Sequence, residues 1–233
     1  VQSILAKSGH INHKYLKESE SDKKAVIVVT ANRGLAGGYN SNITRMIIDE
    51  GFTKENTVVY AVGKKGRELL ERKGYEIKAD YSEAINDPIY KDAKEICDDV
   101  LSAFADGEVG EIYLAYTVFK NTVVHEPQLI RLLPVEADDA AHETDGSEAL
   151  MTYEPSEEEA LDMIIPKYVC SLVYGALIES VASENGARMQ AMDSATSNAE
   201  EMISTLSLKY NRARQASITQ ELTEIIAGAN AIE

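Results

Sequence analysis

The stretch VTANRGLAGGYNSNI, residues 29–43, ends an apolar run, places three glycines within five residues and then begins an amphipathic segment. Nucleotide-binding proteins build phosphate cradles this way, with glycines that let backbone amides approach an anion at a helix N-terminus. A P-loop, however, needs Lys and then Ser or Thr after its last glycine, and Tyr39 and Asn40 stand there instead. The G-x-G-x-x-G pattern is not there either. A second turn, VGKKGREL at residues 62–69, offers glycine and lysine without the hydroxyl or the spacing. Both turns read as tight backbone geometry, and no cofactor is expected. His10, His13, His125 and His142 form no metal pattern, since the i,i+3 pair His10 and His13 has no carboxylate or cysteine placed with it. No G-x-S-x-G elbow occurs, and nothing assembles a catalytic constellation. Tyr153 and Glu154 precede a proline at a helix start, where a carboxylate suits the helix dipole. One dense polar cluster remains. YNRARQASITQELTEI, residues 210–225, crowds Arg212, Arg214, Gln215, Thr219, Gln220 and Glu221 together. Arg and Gln are multidentate donors suited to a partner's backbone or carboxylates; the alternative is a solvated helix face.

Elements that would carry these residues follow from periodicity. AVIVVT (25–30), TVVYAV (57–62) and YEIKA (75–79) read as strands, as do EIYLAYTVF (111–119) and QLIRLL (128–133). Between them lie helical patterns, one of them with Pro88 in its first turn and Gly107 past its end. Strands alternating with helices predict an α/β fold with a Rossmann-like, mostly parallel sheet, its last two strands pairing antiparallel at one edge. After Pro166, the last proline, almost every residue is compatible with helix. Some 65 residues at ~1.5 Å each make a rod of about 100 Å, too long for a domain of this size to bury. Met192, Ala195, Ala199, Met202, Leu206, Tyr210 and Ala213 step by three and four; Ile218, Leu222, Ile225, Ala229 and Ile232 resume after a phase slip. Such a seam needs a partner. The expected organisation is therefore residues 1–20 as the end of a helix and a linker, 21–135 as the α/β domain, 136–162 as an acidic loop and helix start, and 163–233 as a long coiled-coil helix.

Composition narrows the partners. The 233 residues carry 23 Lys and Arg against 39 Asp and Glu, a net charge of −16. That balance opposes nucleic acid, whose phosphates require basic counterparts, and adsorption to anionic lipid. No uninterrupted apolar run nears the ~20 residues of a bilayer span, so no direct membrane insertion is expected. Cys97 and Cys170 lie far apart in sequence, which points away from a disulfide framework and towards a reducing compartment. The chain opens without a signal-peptide pattern and without Met, and reads as a fragment.

The motifs taken together resemble a family. YNRARQASITQELTEIIAGANAI is similar to the C-terminal signature of the gamma subunit of the F-type (H+-transporting) ATP synthase. RGLAGGYNSNI resembles that family's R-G-L-C-G-G-L-N turn, with Ala36 for Cys and Tyr39 for Leu. VGKKGREL, VFKNTVVHEPQLIRLLP, YEP and ENGARMQAMDSATSNAEEM follow in family order. His125 stands where the family often has glutamine, and Met151 where related chains carry an aromatic. The resemblance implies a central-stalk rotor without a catalytic site of its own, coupling proton-driven c-ring rotation to ATP synthesis or hydrolysis at the alpha–beta hexamer. It implies partners in the alpha, beta and epsilon subunits and the c-ring, and a peripheral place on the cytoplasmic face of the bacterial inner membrane. Arg214, Gln215, Thr219 and Glu221 would form the catch contacts with beta, and Arg188 would meet the beta lever. Tyr153 and Glu154 would form the foot on the c-ring and epsilon, and Ile225, Ile226 and Ile232 the tip in its bearing. The family begins with a long N-terminal helix that makes an antiparallel coiled coil with the C-terminal one; this chain starts where that helix would end, so its unpaired seam is expected to self-associate. The rival reading is a coiled-coil structural or oligomerisation protein with a nucleotide-binding α/β domain.

Overall fold

Residues 13–16, 21–135 and 157–230 are described by the computed structural model. The expectations for His10, His142, Met151, Tyr153, Glu154, Ile232 and most of the acidic stretch fall outside them.

β-branched runs form the middle of a five-stranded sheet. Strands β1 (Lys24–Val29) and β2 (Thr57–Val62) are buried almost throughout and pair in parallel, Ala25 opposite Val58 and Val29 opposite Val62. Strand β3 (Glu76–Asp80) pairs in parallel with β2, and β4 (Glu111–Phe119) in parallel with β1. Strand β5 (His125–Leu133) closes one edge antiparallel to β4, giving the order β3-β2-β1-β4-β5. It begins three residues earlier than its apolar pattern suggests and includes Pro127, which an edge strand tolerates.

Both faces of the sheet are covered, which is why its central strands are apolar without alternation. On one face Val26, Val28, Val59 and Ala61 pack against helices α1 (Tyr39–Asp49) and α2 (Lys64–Arg72) through Ile43, Ile47 and Leu70. On the other, Ala25, Ile27, Val29, Tyr60, Ile112 and Leu114 meet helix α3 (Tyr90–Ala105) and the first part of helix α4 (Glu157–Asn230). At the start of α3 the Ile89 amide donates to Asp92 Oδ2 at 3.1 Å, and Pro88 lies just outside the helix.

Helix α4 passes through a proline. It begins at Glu157 and carries Pro166 inside. Proline removes one backbone donor, yet Leu161 and Ile165 are already buried ahead of it, and packing of that apolar face holds the turn where propensity alone would not. Leu161, Ile165, Val169, Val173, Ala176 and Leu177 then continue the buried stripe at helical spacing. The stripe also gives the helix an 18-residue window with a mean hydropathy of 1.5, which meets the length and composition of a membrane span although the sequence holds no uninterrupted apolar run of that length, and 39% of that window is buried inside the protein.

The chain divides into two compact units, Val1–Gln190 and Ala191–Glu233. The first holds the sheet and its helices. The second is helical from its start to Asn230, and every residue from 192 to 230 is exposed.

Candidate functional site

Open parallel sheets bind ligands in the crevice beyond the carboxyl ends of their strands, where the strand order reverses. Here that point lies between β1 and β4. The glycine turn sits at the end of β1, with Leu35 at φ 61° and Gly37 at φ 57°. Asn40 closes the turn on itself: its Oδ1 accepts from the Ala31 amide at 2.9 Å and its Nδ2 donates to the Arg33 carbonyl at 3.4 Å. Tyr39 turns inward, 4% exposed, and its hydroxyl donates to the Ser180 carbonyl of α4 at 3.1 Å. Burial pushes that phenol well above its ordinary pKa, so it stays a neutral donor. Ser183 of α4 adds a bond from its hydroxyl to the Thr117 carbonyl at 3.1 Å. The crevice is therefore filled by α4: Ser180 and Ser183 are fully buried where a ligand would lie.

The second turn is spent in the same way. Gly63 has φ 114°, and a Cβ there would fall 2.1 Å from the Thr30 carbonyl oxygen. A Cβ on Gly66 would fall 2.5 Å from the Thr30 hydroxyl oxygen. That close approach lets Thr30 Oγ1 accept from the Gly66 amide at 2.9 Å. The Lys64 amide donates to Asn32 Oδ1 at 3.0 Å and the Lys65 amide to the Ala31 carbonyl at 3.0 Å. The free amides that make a helix N-terminus an anion site already have partners in this chain. A cavity at the opposite, amino ends of the strands is lined by Lys23, Tyr60, Lys78 and Glu108, the wrong end of such a sheet for a nucleotide.

The remaining predicted residues separate into committed and uncommitted groups. Arg188 is committed within the first unit: its Nη2 lies 2.7 Å from Glu184 Oε1 and donates to the Gly34 carbonyl at 3.4 Å. His13, paired with His10 in the sequence reading without a carboxylate beside it, is buried and has Asp162 as its neighbour. Its Nδ1 accepts from the Tyr15 amide at 3.3 Å, which leaves Nε2 to donate to Asp162 Oδ1 at 3.1 Å. His125 packs its ring against Gly186, and both ring nitrogens are buried without partners. In the second unit Arg214, Gln215, Thr219 and Glu221 are all exposed, as are Ile225 and Ile226 at 68% and 60%. Thr219 Oγ1 donates to the Gln215 carbonyl one turn back at 2.8 Å. Among the described residues, neither Arg212 nor Arg214 has a carboxylate partner. Beside them runs an apolar stripe that includes Met202, Leu206, Tyr210, Ile218 and Leu222, each 48–67% exposed.

The first unit thus has a filled crevice, and the second is an exposed helix with apolar and Arg-rich faces. Comparison with known proteins gives the family. A family model described as ATP synthase matches residues 1–232. The ATP synthase gamma chain of Lachnoclostridium phytofermentans is 66% identical over 238 residues, covering 100% of this chain and 82% of the relative. This chain belongs to the ATP synthase gamma-chain family. A gamma chain from Acetobacterium woodii described as sodium ion specific is 42% identical, covering 98% of this chain and 81% of its own length. Solved structures share the fold: a chain of the Euglena gracilis mitochondrial ATP synthase, seen with F1 and the c-ring, matches with a TM-score of 0.67 at 19% identity, covering 99% of this chain and 84% of that one. A chain from the Tetrahymena thermophila central stalk and c-ring matches with a TM-score of 0.61 at 23% identity, covering 84% of this chain and 85% of that one. As a gamma chain it is a central-stalk subunit of an ion-transporting rotary complex. The family's glycine turn is thus an architectural joint in this chain, as the missing Lys and Ser or Thr suggested. Its internal bonds to α4 were beyond the reach of sequence spacing.

Proposed function

We propose that this chain couples proton-driven rotation of a c-ring to conformational change, and so to ATP synthesis or hydrolysis, at an alpha–beta hexamer, without a catalytic site of its own. The observation that carries this reading is the second unit: from residue 192 to 230 a helix with a seam at three- and four-residue spacing leaves every side chain exposed. A rod with an asymmetric surface touches each of several surrounding subunits differently, and turning it shifts each among states of different nucleotide affinity. Arg214, Gln215, Thr219 and Glu221 then act as the catch on beta, with Arg214 placed to donate two parallel hydrogen bonds to a carboxylate. Arg188 meets the beta lever as its pair with Glu184 exchanges partners. Tyr153 and Glu154 form the foot on the c-ring and epsilon, and Ile225, Ile226 and Ile232 turn in an apolar bearing. The complex sits peripherally on the cytoplasmic face of a bacterial inner membrane. A sodium-specific relative is as similar as several others, which supports leaving the choice of ion to the c-ring.

The test is reconstitution of the assembled enzyme with Arg214→Ala and Gln215→Ala. Coupled turnover is expected to fall severalfold in each, with assembly and the melting of the chain unchanged; wild-type coupling in both removes the catch assignment. The isolated chain is expected to self-associate through its apolar stripe, and light scattering showing a monomer at high concentration overturns that. The rival reading of a nucleotide-binding domain predicts tight ATP or NAD binding to the isolated chain, which calorimetry would detect.

A further inference from the structure

The cavity at the amino ends of the strands has walls fixed by strand register. Val58 on β2 stands opposite both Ala25 on β1 and Glu76 on β3. Side chains alternate along a strand, so Val58 and Tyr60 share one face with Glu76 and Lys78, the face that packs on α3. Lys23, just ahead of β1, lines the same space, and Ser21, Glu108 and Val109 close it around a volume of about 390 Å³, a size usual for small-molecule sites. β1 and β3 flank β2 at roughly 10 Å from each other, so Lys23 and Glu76 stand on opposite sides of the cavity.

Some of the wall is already partnered. Lys78 Nζ lies 3.1 Å from Glu108 Oε2, and the Ser21 hydroxyl donates to the Glu108 carbonyl at 3.2 Å. Three polar groups remain. Among the described residues the Lys23 ammonium and the Glu76 carboxylate make no ion pair, and the Tyr60 hydroxyl makes no hydrogen bond. Tyr60 is 2% exposed, and a phenol that deep normally has a partner, because a hydroxyl buried without one costs free energy. Burial also raises its pKa above the ordinary phenol value, so it stays a neutral donor. Beside these groups Val58 and Val109 offer an apolar surface. One cation, one anion, one hydroxyl and an aliphatic wall together match a zwitterion. A phosphate would bring only negative charge to a space that already holds Glu76 and Glu108.

We propose that this cavity binds an α-amino acid with an aliphatic side chain. The ligand carboxylate meets the Lys23 ammonium and accepts a hydrogen bond from the Tyr60 hydroxyl. Its ammonium donates to Glu76, and its side chain lies on Val58 and Val109.

The full chain, methyl-labelled and dilute, is titrated with L-leucine and followed by NMR. Saturable shifts of the Val58 and Val109 methyls are expected, with a Kd on the order of 1 mM. 4-Methylpentanoate lacks the ammonium and 3-methylbutylamine lacks the carboxylate; each should bind at least roughly tenfold more weakly. Lys23→Met and Glu76→Gln change exposed side chains, and each should weaken L-leucine by roughly tenfold. Tyr60→Phe should weaken it by roughly fivefold, the loss of one neutral hydrogen bond. The comparison of L-leucine with its two analogues needs no variant to fold. Shifts that stay linear to the solubility limit of L-leucine, either analogue binding as tightly as L-leucine, or shifts centred outside the cavity overturn the proposal.

Discussion

Helix α4 lives two lives. Up to residue 190 it is a core element, with Leu161, Ile165, Val173 and Leu177 fully buried against the sheet and Ser180 and Ser183 sealing the crevice. From 192 to 230 its Leu, Ile and Met side chains are no less apolar, yet each is exposed. The difference is what lies opposite them. Most helical stability in proteins comes from packing of an apolar stripe, so one stretch is held by the sheet while the other leaves its stripe uncovered.

That contrast can be broken by removing one leucine from each part. Leu177→Ala should destabilise the first unit by about 2–5 kcal/mol, the usual cost of emptying a fully buried site, read from near-ultraviolet tyrosine signals in denaturant. Leu206→Ala, measured in dilute isolated chain, should change stability by less than about 0.5 kcal/mol; a loss comparable to Leu177→Ala would mean the second unit is packed after all. Gly186→Ala should cost about 1–3 kcal/mol, because its Cβ would fall 2.6 Å from His125 Cε1 and the half-buried ring must move. The smallest effect concerns pH. Asp162 is held below the ordinary carboxylate range, chiefly by the Lys14 ammonium and further by His13. A depressed folded pKa gives stability that is present above the unfolded value, near ~4, and is lost as pH falls through the folded one. The protection of the Tyr15 and Leu16 amides against hydrogen exchange, relative to the intrinsic rate at each pH, should therefore fall in acid, and Asp162→Asn should remove that dependence.

Much of the sheet was legible because central parallel strands are apolar runs bounded by turns: β2 and β4 match their sequence patterns residue for residue, and β1 differs at its ends. The exact first residue of α4 was not legible, since no period marks it, and packing of Leu161 and Ile165 carries the helix through Pro166. Exposure of the Arg214 cluster was expected for any charged face. The roles of Tyr39 and Arg188 were hidden, because their partners, Ser180 and Gly34, lie more than a hundred residues away. Spacing rules describe neighbours along a helix or strand; a buried tyrosine hydroxyl reaching a distant carbonyl leaves no period to detect.

The internally satisfied turns have a thermodynamic consequence. A protein that binds a ligand only when folded gains stability as that ligand rises. With the Gly66, Lys64 and Lys65 amides and the Tyr39 hydroxyl already bonded within the chain, these four groups have nothing left to offer a phosphate. The chain's melting point should stay level as ATP is titrated, so swings in cellular energy charge would leave the folding of this subunit untouched while its assembly makes and breaks the same molecule.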